Sequence, residues 1–168
     1  MPELRGAMGL FLSTYVNKVD KKGRVSVPAP FRTALNGQAE IIVFRSLQAQ
    51  ALDCCSIDYL DQLSAALDDP DTPQDFRDLI ETAVFGGSVR VPFDTEGRVI
   101  VPDEFLGFAG ITETAAFVGR RKIFQIWEPD ALKAFEEASR SQARANNISL
   151  STILAKTSHH ARPNGGAA

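Results

Sequence analysis

Twelve residues of this chain recur, without a gap, 74 positions apart. The segment Asp20-Lys21-Lys22-Gly23-Arg24-Val25-Ser26-Val27-Pro28-Ala29-Pro30-Phe31 aligns with Asp94-Thr95-Glu96-Gly97-Arg98-Val99-Ile100-Val101-Pro102-Asp103-Glu104-Phe105, and seven of the twelve positions are identical. A repeat constrains architecture before any single residue does. It implies two copies of one small unit, each short of a full core and completed by its sister. The 168 residues suffice for one ordinary domain or for two small halves sharing a core.

Each copy reads as strand, turn, strand and short helix. Ser13 to Val19 is rich in β-branched and aromatic residues and predicts a strand. Asp20-Lys21-Lys22-Gly23 predicts a turn, because Asp accepts from backbone N–H groups further on and Gly permits positive φ. Arg24 to Val27 alternates, with Val25 and Val27 on one face and Arg24 and Ser26 on the other. Pro28 and Pro30 end that strand, and a short helix with Phe31, Ala34 and Leu35 inward stops at Asn36-Gly37. The second copy repeats the plan, with a strand to Phe93, a turn at Asp94 to Gly97, a strand to Val101 and a helix carrying Phe105. Further strands are expected at Glu40 to Phe44, Cys55 to Ile57, Ala115 to Gly119 and Phe124 to Trp127. Leu60, Leu63 and Leu67 mark one helix, and Phe76, Leu79, Ile80, Ala83 and Val84 another. A terminal helical region is expected from Pro129 to about Lys156, weakened at Asn146-Asn147, with a frayed tail from Thr157 that holds His159 and His160.

Charge is unevenly placed. The formal net charge is -3, which argues against a uniformly basic nucleic-acid binder. Residues 18 to 32, however, hold Lys18, Lys21, Lys22, Arg24 and Arg32 against Asp20 alone. Residues 58 to 81 hold eight acids against Arg77 alone. Such a polarised surface binds a polyanion on one side while the net charge stays negative. A hydrophobic content of 44% with 23% charged residues is that of a soluble globular protein. No apolar run approaches the roughly 18 residues of a membrane span. Met8-Gly9-Leu10-Phe11-Leu12 is too short for a signal peptide and is expected to begin the first strand, with Met1 and Met8 both open as the natural start. Cys54 and Cys55 are adjacent and unsuited to an ordinary staple, so a reducing cytoplasm is expected.

The paired D-x-x-G-R-[hydrophobic]-x-V-P segments, the opening Phe11-Leu12-Ser13-Thr14-Tyr15 and the later Phe124-Gln125-Ile126-Trp127 resemble the MraZ family of bacterial transcription regulators. The resemblance covers roughly residues 11 to 145. It implies an α+β fold in which two tandem AbrB/SpoVT-like repeats form a swapped-hairpin β-barrel core with flanking helices. The expected divisions are 11–67 for the first repeat and its helix, 68–86 for an acidic linker and inter-repeat helix, 87–145 for the second repeat and its helix, and 146–168 for the C-terminal extension. The resemblance also implies a homo-oligomeric ring, octameric or dodecameric. The function it implies is sequence-specific binding to double-stranded DNA at direct repeats upstream of the cell-division and cell-wall operon, in the cytoplasm and on the nucleoid. Cofactors, membrane contact and a small-molecule substrate are not expected.

On this reading Arg24 makes the groove contact, because its planar fork bonds a guanine edge or a phosphate in bidentate fashion. Lys18, Lys21, Lys22 and Arg32 take phosphates without reading sequence. Gly23 and Gly97 are backbone devices. Asp20 and Asp94 are read as structural partners of Arg24 and Arg98 across each turn, a reading that remains an alternative for Arg24 itself. The second copy is net negative over residues 90 to 105, so Arg98 is expected to bind DNA more weakly or to be occupied at a subunit contact. Arg120-Arg121-Lys122 reads as a solvated loop.

No Gly-rich phosphate loop, metal-spaced His/Cys set or nucleophile elbow occurs in the sequence, and no enzyme is expected. Two alternatives from other classes stand beside the regulator. One is a ring-shaped protein-interaction scaffold using the acidic linker or helices, and the other an AbrB-like antitoxin component.

Overall fold

The computed structural model describes residues 9–160. They fall into two units, one ending at Leu132 and one beginning at Lys133. In the first unit, β1 (Thr14–Lys18) leads through the Asp20 turn into β2 (Arg24–Ser26). Pro28 then closes the strand with φ -52° and ψ 137° and precedes α1 (Ala29–Ala34). Asn36 and Gly37, both at positive φ, stop that helix. The hairpin β3 (Glu40–Arg45) and β4 (Leu52–Cys55) follows, then α2 (Ile57–Leu67) and α3 (Gln74–Ile80). The second copy gives β5 (Val89–Pro92), β6 (Arg98–Ile100), α4 (Asp103–Ala109), β7 (Thr114–Arg120) and β8 (Ile123–Trp127).

The chain is a mixed α+β fold, and its strand pairing crosses between the copies. β1 runs antiparallel to β7, β5 to β3, β2 to β6 and β4 to β8. The outgoing and returning strands of the first copy share only the Val19–Val25 bridge. Beyond that bridge each strand takes its partner from the other copy, β1 from β7 and β2 from β6. The result is a six-stranded antiparallel sheet in the order β1-β7-β8-β4-β3-β5, with a separate β2–β6 ribbon. Among the described residues this sheet does not close into a barrel, and β1 and β5 remain its edges.

The main core draws on both copies. Phe11, Val25, Val27, Phe31, Val99, Val101, Phe105, Phe117 and Phe124 are buried together. Phe124 lies 5.0 Å from Phe31 and 5.2 Å from Phe11, ring centroid to centroid. A second cluster places Leu60, Leu67, Ile80 and Val84 against Ile42, Phe44 and Cys55 of the sheet.

Two local expectations change. Ser56 is not strand: its hydroxyl accepts from the Tyr59 amide and caps α2, so Ile57 opens a helix. A Ser competes well for that capping position. The apolar stripe beyond Phe76 is also broken. A π-helical turn at Glu81–Phe85 widens the coil, with the Gly86 amide reaching the Glu81 carbonyl. Ile80 and Val84 are buried, while Phe76 and Leu79 are 53% and 56% exposed.

The second unit comprises the later part of α5 (Pro129–Ala145) and α6 (Leu150–His160), separated by Asn147 at positive φ. Helix thus continues past the expected start of the frayed tail at Thr157. Met1, Met8, the side chains of His159 and His160, and residues 161–168 lie outside what is described.

Candidate nucleic-acid interface

The two turns are built alike. In the first, Asp20 Oδ1 accepts from the backbone N–H of Lys22 and of Arg24, each at 2.9 Å, and Oδ2 accepts from Arg24 Nε at 2.6 Å. In the second, Asp94 Oδ1 accepts from the amides of Glu96 and Arg98, each at 2.9 Å, and Oδ2 accepts from Arg98 Nε at 2.8 Å. The acids therefore act as turn fasteners. The partnering backbone amide, of Arg24 or Arg98, is the main reason each carboxyl sits below its ordinary pKa.

A carboxylate with a depressed folded pKa stabilises the fold above its unfolded pKa and loses that contribution as pH falls through the folded value. Both turns should therefore hold at neutral pH and begin to loosen below about pH 4. Hydrogen exchange, corrected for its intrinsic pH dependence, should show protection of the Lys22, Arg24, Glu96 and Arg98 amides falling in that window. Unchanged protection down to the acid limit would contradict the fastener role.

The arginines differ in what else holds them. Among the described residues, Arg24 pairs only through Nε, which leaves both terminal nitrogens for a ligand. Arg98 also commits Nη2 to Glu96 at 3.1 Å. Register brings them onto one surface, because Ser26 stands opposite Arg98 and Arg24 opposite Ile100. The central pair, Val25 and Val99, is buried beneath. A cleft of about 630 Å³ joins the two copies here, lined by Lys18, Val19, Asp20, Lys21, Arg24, Ser26, Arg98 and Glu113. Four cations thus meet two acids at its wall. Glu113 was not identified from the sequence motif. It arrives through the pairing of β1 with β7, where its carbonyl accepts from Val19 N–H.

Lys22 is exposed at the turn tip beside Lys21. Arg32 is exposed too, but its Nε donates to the Val27 carbonyl at 3.2 Å and its guanidinium lies over the other copy's turn. The aligned residue, Leu106, lies over the first turn. The lysine tip thus has an aliphatic neighbour, and the acidic tip a cation.

These neighbours separate the two turn glycines. Gly23 and Gly97 have φ near 80°, and a side chain at either is strained. A methyl at Gly23 would stand 2.8 Å from the Val101 carbonyl oxygen, whereas one at Gly97 would meet the Arg32 guanidinium at 2.7 Å. Backbone in a strand end cannot withdraw, but a long side chain can. Gly23→Ala should cost more stability than Gly97→Ala, each at least about 1 kcal/mol, as read by chemical denaturation. The reverse order would contradict the assignment of Arg32 as the movable neighbour.

Other reactive groups lie elsewhere. Arg120, Arg121 and Lys122 are exposed at the β7–β8 turn, with Arg120 Nη1 donating to Gln125 Oε1 at 3.2 Å. Cys54 and Cys55 are fully buried, and burial pushes the Cys55 thiol up to about 12 and raises that of Cys54 as well. Among the described residues no group of three His, Cys, Asp or Glu side chains could hold a metal ion, and no helix is long and apolar enough to cross a membrane.

Known proteins resemble this chain over most of its length. The family described as "MraZ protein, putative antitoxin-like" matches residues 10–50 and 84–151. The Transcriptional regulator MraZ of Pelagibacter ubique (strain HTCC1062) is 41% identical over 143 residues, covering 84% of this chain and 92% of the relative. That of Rickettsia africae (strain ESF-5) is 39% identical over 145 residues, covering 85% and 97%. With near-complete coverage of both relatives and a family match spanning both copies of the repeat, this chain belongs to the MraZ family.

Proposed function

We propose that the protein is a transcriptional regulator that binds double-stranded DNA through the β2–β6 ribbon. The observation that carries this is the convergence of Lys18, Lys21, Arg24 and Arg98 on one cleft, with both terminal nitrogens of Arg24 unpaired among the described residues. A two-stranded ribbon suits the major groove, where arginine reads a guanine edge and lysines hold phosphates. Lys22 and Arg32 extend the cationic rim, and Arg98, shared with Glu96, contributes less. The names of the relatives support the regulatory role.

We read 11–67 and 87–145 as two AbrB/SpoVT-like repeats whose exchanged strands form the swapped-hairpin core. Residues 68–86 serve as linker and inter-repeat helix, and 146–168 as an extension. Several copies assemble into a ring, which strengthens individually weak ribbons through effective concentration when their spacing matches repeated sites. The exposed Phe76 and Leu79 offer contact surface for that assembly. The reading places the protein in the cytoplasm on the nucleoid, without a catalytic role, acting ahead of cell-division and cell-wall genes.

Nuclease protection of the duplex upstream of the chain's own coding sequence tests this. Protected segments at regular spacing in one direction are expected. Equal protection of a scrambled duplex, or none on either, would overturn the reading.

A further inference from the structure

Four side chains form the outer face of the β2–β6 ribbon, and three of them are polar: Arg24, Ser26 and Arg98. The fourth, Ile100, is 58% exposed, while its neighbours Val99 and Val101 are each 1% exposed. Strand alternation turns it outward, and register sets it directly opposite Arg24. Cross-strand neighbours of this kind have Cβ atoms about 5 Å apart. An aliphatic group therefore stands directly across the ribbon from the residue whose guanidinium keeps both terminal nitrogens unpaired among the described residues.

The major groove offers such a pair of groups two different partners. Guanine presents acceptors to arginine, and thymine alone presents a methyl group. We propose that Ile100 reads a thymine methyl beside the base pair that Arg24 engages, and so makes the ribbon directional. This rests on the nucleic-acid reading above.

The directional effect follows from the repeat. Val25 and Val99 pair at the centre of the ribbon, and the aligned positions on either side carry Arg24 with Arg98 and Ser26 with Ile100. Identical residues there would read a site equally in either orientation. Serine in one position and isoleucine in the other removes that equivalence, as the unequal tips Lys21-Lys22 and Thr95-Glu96 also do. The charge of the flanking groups favours a nucleic-acid occupant over an apolar protein face.

A thymine-to-deoxyuracil scan removes one methyl at a time and leaves every hydrogen-bonding group in place. The probe is the duplex segment protected in the nuclease experiment or, failing protection, the whole upstream duplex. Wild-type protein should lose about fourfold in affinity at one thymine per ribbon, the effect of one buried methyl. Ile100→Ser should bind more weakly and show no methyl dependence, while Ile100→Val should retain it. Since the position is exposed, unchanged thermal melting checks that both variants fold. Binding without methyl dependence in the wild type, or the same dependence in Ile100→Ser, overturns this inference alone. Absence of salt-sensitive binding by the wild type overturns the nucleic-acid reading and this inference with it.

Discussion

Phe124→Ala is expected to cost about 3–5 kcal/mol of stability, enough to unfold a large fraction of a marginally stable protein. Phe124 is fully buried on β8, and its ring contacts Phe31 from the first copy, Phe11 from the entering segment and Phe117 from β7. Truncation leaves a cavity bounded by elements of both copies, so neither can collapse into it independently. Chemical denaturation should give one transition with a lowered midpoint. A loss below about 1 kcal/mol, or two separate transitions, would contradict a core held in common. By comparison Phe76→Ala should be nearly neutral in the isolated chain, because that ring is half exposed.

The second large effect concerns binding. Arg24→Ala should reduce affinity for the preferred DNA by about 5- to 150-fold, the range of one bidentate base contact. Arg98→Ala should lose less than Arg24→Ala, because Arg98 Nη2 must leave Glu96 before its fork can engage a base. Both arginines also release Asp-bound Nε geometry only at the expense of the turn, so Nε is expected to stay with Asp20 and Asp94 while the terminal nitrogens do the reading. Glu96→Lys places the first turn's lysine in the second and frees Arg98, and should raise affinity. Equal losses for Arg24→Ala and Arg98→Ala would reject the asymmetry while keeping the regulator.

Much of the local structure was legible because turn chemistry and alternation are short-range. Asp20 and Gly23 specify the first turn, Pro28 ends its strand, and Asn36-Gly37 ends α1. Alternation correctly turned Val25 inward and Arg24 outward. It names a face, though, and not a partner. Pairing of β1 with β7 and of β2 with β6 depends on contacts across the whole chain. For that reason Glu113 joined the cleft without a motif to announce it, and Arg24 and Arg98 proved to share one surface. Arg32 looked like one more cation of the first repeat. Its placement over the second turn follows from the crossing of the copies. The helix stripe named Phe76 and Leu79 as inward, yet both stand exposed on α3 while Ile80 and Val84 carry the packing. Periodicity groups residues on a face without showing how much of that face the rest of the chain covers.

Fluorescence anisotropy of the full chain against its own upstream duplex and a scrambled duplex, at several salt concentrations, tests the central claim most directly. The predicted result is a preference for the upstream duplex, with log affinity falling linearly with log salt at a slope of about -2.7 per engaged ribbon if Lys18, Lys21 and Lys22 each neutralise one phosphate. Affinity independent of salt, or equal for both duplexes, would contradict sequence-preferring binding by the cationic ribbon.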